Sequence, residues 1–365
     1  MSVADNEVVY LDVKTLKEFM HDVFVNLQVP EVDAKIIANI LISSDRRGIT
    51  SHGVQRLKMY YDRIKANIQE PVTKITVVEE SETTASLDAG HGMGHVAAYK
   101  GMEMAINKAR KYGTGAVSVG NSTHFGIAGY YSLMATNADM IGFSMTNARP
   151  SIAPTFGIEP MMGTNPLTIG LPTDEPFPFL LDCATSITQR GKIEVLSRTN
   201  TPTPKGWVIG NDGELKTETL EILTALKKGT AALLPLGGAG EEMGGHKGYG
   251  YAATVEILSS ALWGGPFMKD LTLEKGYKLG HFFMAIDVSK FIDIDQFKTI
   301  AGTICRTLRA SEKAPGQERI YTAGQKEYEM EQKIDKTGVP LNESIQNDLL
   351  IMKKELKLDE YDFPF

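Results

Sequence analysis

Cysteine is nearly absent from this chain: Cys183 and Cys305 are the only two in 365 residues. Neither belongs to a C-x-x-C pair, which excludes a disulfide scaffold and a thiolate metal site and leaves free thiols in a reducing compartment as the simple reading. No apolar run is long enough to span a bilayer. The first ten residues are acidic and lack an apolar centre, so they read neither as a signal peptide nor as an Arg-rich transit peptide, and a cytoplasmic protein is expected. The net charge is −7 with no long block of one sign, which argues against a nucleic-acid or anionic-membrane partner. There is no Walker loop and no G-x-S-x-G elbow. Gly90-His-Gly-Met-Gly94 comes near the G-x-G-x-x-G fingerprint, but His95 stands where the last glycine belongs. The strand–turn–helix frame with an acidic residue about twenty positions on is also missing, so a standard Rossmann site is excluded. His91 and His95 are four apart, yet the glycines around them argue against a helix there, and no metal site is expected.

What is present is ample apolar material, 42% of residues, enough for one large core or two moderate ones. The first seventy residues read as three helices. Thr15-x-x-Glu18 is a capping box, after which Leu16, Phe19, Met20, Val23, Phe24 and Leu27 recur at helical spacing. Pro30 opens a second helix with Ile36, Ile37, Ile40 and Leu41 on one face, and Gly48 stops it. A third helix is predicted from Ser51, carrying Leu57, Tyr60, Tyr61, Ile64 and Ile68. Beyond Pro71 the texture changes to short β-rich runs at 115–119, 140–145, 167–171 and 177–182, alternating with helical runs at 96–112 and 248–262. Asn211-Asp-Gly213 is a hairpin turn signal. The pattern is that of an α/β (α+β) core around a mixed sheet.

Three stretches carry chemistry. In the first, Ser51, His52 and Arg56 sit at the predicted start of the third helix, with His52 and Arg56 four apart on one face. An imidazole exchanges a proton near neutral pH, and a guanidinium grips a carboxylate with two parallel hydrogen bonds. The plainer reading is that Ser51 is an ordinary helix cap and Arg56 a solvated charge. In the second, Val119-Gly-Asn-Ser-Thr-His-Phe-Gly-Ile-Ala128 follows a strand and opens a helix, a junction whose backbone N–H groups suit an anion. The plainer reading is that Asn121, Ser122 and Thr123 only cap the helix. In the third, glycine is dense from Gly237 to Gly250, and Lys247 supplies a point charge for phosphate beside a backbone that a ligand approaches closely. A flexible surface loop is the alternative.

Taken together, Ser-His-Gly-x-x-Arg at 51–56, Gly-Asn-Ser-Thr-His-Phe-Gly at 120–126, Gly-Thr-Asn-Pro at 163–166, Asp-Cys-Ala-Thr-Ser at 182–186, Arg-Gly-Lys at 190–192 and His-Lys-Gly-Tyr-Gly at 246–250 form an ordered set. The set resembles the type II malate/L-lactate dehydrogenase family, nearest to its malate-type members, over residues 10–325 or so. The family also holds sulfolactate, ureidoglycolate and diketogulonate enzymes and cyclic-imino-acid reductases. The resemblance implies a non-Rossmann NAD(P) fold: a helical domain from residues 8–72 and 320–360, and a mixed-sheet domain from 73–319, itself divided near 125–250. It implies a homodimer and a small 2-hydroxy or 2-oxo acid substrate, L-malate first, with lactate, sulfolactate, ureidoglycolate and diketogulonate as alternatives.

Carried over by position, Ser51 and His52 match the proton relay, Arg56 the substrate carboxylate site, and Arg190 and Gly191 a substrate-proximal pair. His124 matches a proton acceptor. His124, Phe125, Gly126, Ile127, Ala128, Thr164, Asp182, Cys183, Ala184 and Lys247 match cofactor contacts, the cofactor being NAD with NADP as its rival. Two departures stand out. Lys192 replaces an aspartate that some imino-acid reductases carry, which favours the hydroxy-acid branch, and the Gly237–Gly245 segment is longer than the family leads one to expect. From a different class, Ser51, His52 and Asp45 offer the residue types of a hydrolase triad, although adjacent serine and histidine seldom aim at each other.

Overall fold

The computed structural model describes residues 8–272 and 276–365. Its first helix, Val13–Asn26, is capped by Asp12, whose carboxylate accepts from the Thr15 N–H at 2.9 Å. The expected Thr15-x-x-Glu18 box is therefore not the cap. Asp12 lies three residues upstream and satisfies the free N–H first. Leu16, Phe19, Met20, Val23 and Phe24 line the buried face as their spacing predicts.

Both ends of the chain build one core. Val9–Leu11 pairs antiparallel with Val339–Leu341. Phe19 meets Tyr361 and Phe363 edge-on at 5.2 and 5.1 Å. Tyr60, Tyr61, Leu57 and Ile64 of helix Leu57–Lys65 join Ile345, Leu349 and Met352 in the same cluster. Each fully buried large side chain here contributes about 1.5–3 kcal/mol of hydrophobic stabilisation. Helix Glu31–Arg46 belongs to two cores at once. Its Ile37, Ala38 and Leu41 face this cluster, while Ile36 and Ile40 face a second one on the sheet.

That sheet has seven strands, in the spatial order Thr76–Glu80, Thr84–Asp88, Thr114–Ser122, Leu279–Asp287, Met140–Thr146, Leu167–Leu171, Phe179–Cys183. One pair is parallel, Thr84–Asp88 with Thr114–Ser122, and helix Gly94–Tyr112 makes the crossover between them. The remaining pairs are antiparallel, so the sheet is mixed, as the sequence texture indicates. The central strand, Leu279–Asp287, is a nearly continuous apolar run with Leu279, Phe283 and Ala285 buried. A third, smaller cluster of Ile193, Val208, Ile222, Ala231 and Leu233 sits beyond the sheet edge. Among the described residues no helix is long and apolar enough to cross a membrane.

Candidate active site

The segment after Gly48 is not the α-helix that the spacing suggests. Thr50–His52 and Val54–Arg56 form two short 3-10 turns, and the α-helix begins at Leu57. The cause is Asp45, which is 1% exposed. Its carboxyl group accepts from the Val54 N–H at 2.8 Å and lies against Gly53, where a Cβ would come within 2.0 Å of Oδ1. Gly53 lets the chain bend tightly over this buried group, and burial pushes the Asp45 pKa up to about 8.

The bend brings the predicted residues together by a different route. Ser51 Oγ lies 2.8 Å from His52 Nδ1, so the two neighbours do aim at each other. Arg56 turns back to donate from Nε to the Ser51 carbonyl at 2.7 Å, and among the described residues its terminal nitrogens have no hydrogen-bond partner. The His52 ring stacks on His124, with centroids 5.4 Å apart and 22° between planes. His124 comes from the sheet, two residues past the end of strand Thr114–Ser122. Tyr60, from helix Leu57–Lys65, places its hydroxyl 2.6 Å from His124 Nδ1. The Gly126 N–H donates to the same nitrogen at 3.3 Å. A backbone N–H only donates, so Nδ1 is an acceptor and the proton of neutral His124 sits on Nε2.

Both histidines are neutral at pH 7. Burial, with Arg56 adding to it, lowers His52 to about 4. Burial and then the charges of His52, His95, Arg56 and Arg63 hold His124 well below the usual range. Beneath them the Tyr60 ring meets the fully buried His95 edge-on at 4.8 Å. The loop carrying His124 is held from below: Thr123 accepts from Gly94 N and donates to Gly92 O, both at 2.9 Å. Gly94 is a close-packing joint, since a Cβ there would lie 2.2 Å from the Thr123 carbonyl.

Asp45 forms no hydrogen bond or ion pair with His52, and the serine faces Nδ1, the nitrogen that a carboxylate occupies in a hydrolase triad. The Ser51–His52–Asp45 triad is thereby corrected to a Ser51–His52 pair beside a protonated structural carboxyl. Arg190 and Gly191 lie exposed at the start of helix Arg190–Arg198; Arg190 pairs with Glu194 at 3.0 Å, and no contact among the described residues links either to the histidines.

The positions expected to hold the cofactor form a connected ledge. Asp182 accepts from Gly129 N at 2.9 Å, tying the end of its strand to the helix that follows His124–Ala128. Thr185 N donates to Thr164 O at 2.9 Å, and Leu236 N to Thr185 O at 2.8 Å. Cys183 and Ala184 lie between, both half-buried. The side chains of Phe125, Ile127 and Ala128 are in the core, Phe125 stacked on His281 at 4.6 Å, so what this stretch offers a ligand is backbone. The ledge ends at the N-terminus of helix Gly245–Ser260, with Lys247 exposed in its first turn. Gly240 and Gly244 have positive φ and leave open space where a Cβ would sit. A helix N-terminus, an exposed lysine and that open cradle fit the phosphates of a dinucleotide. Among the described residues no group of three or more His, Cys, Asp or Glu is placed to hold a metal.

Sequence reasoning missed Tyr60 as a site residue because an aromatic at helical spacing reads as core. It also passed over Arg63, whose signal was its position seven residues after Arg56.

The family model of malate/L-lactate dehydrogenase matches residues 11–350. A malate dehydrogenase of Pyrococcus horikoshii is 44% identical over 94% of this chain and 94% of its own length. The crystal structure of malate dehydrogenase from Entamoeba histolytica superposes with a TM-score of 0.94 at 44% identity, covering 98% of this chain and all of that one. Sulfolactate dehydrogenase from Methanocaldococcus jannaschii superposes at 0.88 with 34% identity, covering 97% and 99%. The chain shares this architecture and belongs to the malate/L-lactate dehydrogenase family, nicotinamide-dependent dehydrogenases acting on a CH–OH group.

Proposed function

We propose that this chain interconverts L-malate and oxaloacetate with NAD, NADP being the rival cofactor. The ledge from His124–Ala128 to Lys247 would hold the nicotinamide dinucleotide, which would supply a hydride acceptor for substrate C2. The chain's own residues do the rest. The free nitrogens of Arg56 hold the C1 carboxylate and fix the reacting carbon. His52 accepts the hydroxyl proton on Nε2 while its Nδ1–H passes to Ser51 Oγ, whose own proton leaves to water. His124, protonated on Nε2, donates a hydrogen bond to the same substrate oxygen and steadies the carbonyl as it forms. A relay suits a histidine held near 4, because an imidazolium at His52 costs too much to persist.

The observation that carries this reading is the 2.8 Å Ser51–His52 contact beside the His52–His124 stack. Malate as substrate is supported by the malate dehydrogenases at 44% identity. A homodimer is supported by the exposed apolar row Ile300, Ile304 and Leu308 near Phe291, a surface suited to cover by a second copy. We place the enzyme in the cytoplasm.

The test is single-turnover hydride transfer at the reduced-nicotinamide band, with oxaloacetate, pyruvate and sulfopyruvate and with each cofactor. We expect oxaloacetate to be preferred, and His52→Asn and His124→Asn each to slow transfer by about 10²-fold or more. Wild-type rates in both variants would remove the mechanism. Preference for sulfopyruvate would move the substrate to the sulfolactate branch.

A further inference from the structure

A dicarboxylate substrate needs a second cation, and Arg56 meets only the first carboxylate. By residue type the sequence offers Arg46, Arg47, Arg190 and Lys192. The structure commits each of them elsewhere. Arg46 grips Asp335 through two nitrogens, at 2.6 and 2.5 Å, and also reaches Glu331. Arg47 is buried beside Glu331. Arg190 pairs with Glu194. Lys192 lies over the Trp207 ring at 5.2 Å.

Arg63 is different. Arg56, Tyr60 and Arg63 stand at positions i, i+4 and i+7, and Arg56 already has right-handed helical backbone, so the three make one stripe along helix Leu57–Lys65. Tyr60 in the middle bonds His124, which fixes the direction of that stripe as the site. The two arginines are separated by about 10 Å of helical rise, one at each end of the space beside His124. Arg63 is half-buried and lies over the Tyr277 ring at 5.5 Å. Burial lowers the pKa of its guanidinium, and the nearby cations Arg149 and Arg56 add to that. No carboxylate among the described residues forms an ion pair with it. A half-buried guanidinium under the influence of further arginines, with no counter-ion among the described residues, carries both desolvation and repulsion. A ligand with an anionic group at each end relieves both.

We propose that Arg63 binds the second carboxylate of a four-carbon 2-oxo diacid and so selects dianionic substrates; this rests on the malate reading above. Arg63→Gln and Arg63→Lys test it, with oxaloacetate compared against 2-oxobutyrate, which replaces the distal carboxylate by a methyl group. In Arg63→Gln the ratio of kcat/KM for oxaloacetate to that for 2-oxobutyrate should fall about tenfold to a hundredfold, with part of it recovered in Arg63→Lys. An unchanged ratio, or a parallel loss for both acids, overturns the proposal. A rise in the KM for NADH larger than the change in that ratio would assign Arg63 to a cofactor phosphate and also overturn it. Thermal stabilisation by succinate beyond that by butyrate is the second readout, and it should appear in the wild type and vanish in Arg63→Gln. Its absence in the wild type counts against a dianion site. If the wild type reduces neither acid yet shows an Arg63-dependent succinate shift, the malate reading falls and the Arg63 site stands.

Discussion

Four desolvated histidines with no charge at pH 7 make this protein sensitive to acid in a calculable way. Burial lowers His52 to about 4 and His95 and His281 to about 3, and it holds His124 well below 6.5. Unfolding releases all four to an ordinary value of about 6.5, so near pH 5 the unfolded chain binds a proton at each of these histidines that the folded chain largely refuses. Asp45 acts in the opposite sense. Its folded value of about 8 means that the native state keeps a proton which the unfolded state loses above about 3.8. Asp182, raised to about 6, acts in the same sense as Asp45 near pH 5. Four histidines less two aspartates leave a net uptake of about two protons on unfolding, a slope of about 2.7 kcal/mol per pH unit near pH 5. Two pH units of that slope are comparable to the whole stability of many domains. Above pH 7 the histidine contribution fades and Asp45 alone makes stability decline, by about 1.4 kcal/mol per unit up to pH 8. The two slopes cancel where about a quarter of each unfolded histidine is protonated, near pH 7.

Urea unfolding at pH 5, 6, 7 and 8 measures this curve directly. We expect a maximum near pH 7, a steep fall on the acid side and a shallow one on the basic side. Asp45→Asn should flatten the basic side and steepen the acid side. A midpoint at pH 5 equal to or above that at pH 7 would refute the assignment of neutral, desolvated histidines. The same charges imply that kcat/KM shows no acid limb at 6.5, and that activity is lost together with the fold.

Two further outcomes follow from the packing around the site. Tyr60→Phe removes the hydroxyl from His124 Nδ1 but keeps the ring over His95, so kcat should fall about 10- to 100-fold with little change in KM or melting temperature; an unchanged kcat in steady-state assays would show that Gly126 N–H alone sets the tautomer. Gly53→Ala drives a methyl into the Asp45 carboxyl, and we expect a loss of about 1–3 kcal/mol by chemical denaturation, partly restored by Asp45→Ser in the same chain.

Much of the architecture was legible because periodicity and burial agree. The strand at 167–171 has the bounds its β-rich run indicates, and the helix read from Val96 starts two residues earlier, at Gly94. The central strand Leu279–Asp287 was not singled out, because a strand buried on both faces lacks alternation and its histidine interrupts the apolar run. Ser51, His52 and His124 were readable as chemistry-bearing types at element ends. Their mutual arrangement was not, since it depends on Asp45, a side chain from the preceding helix that replaces an α-helical start by two tight turns. Tyr60 shows why a core pattern hides function: the ring is fully buried, and only its terminal oxygen reaches the site. Arg190 and Gly191 matched by position, yet no contact among the described residues links them to the histidines, and Arg190 pairs with Glu194 instead.

The pairing of Val9–Leu11 with Val339–Leu341, and of Phe19 with Tyr361 and Phe363, has a consequence for biosynthesis. The helices that carry Ser51, His52, Arg56, Tyr60 and Arg63 emerge early, but the surface that seals them is translated long afterwards. A growing polypeptide therefore carries its proton-handling half unsealed until the late helices dock. Truncations that spare every catalytic side chain but remove residues 339–363 should leave the sheet side intact and the chain without turnover.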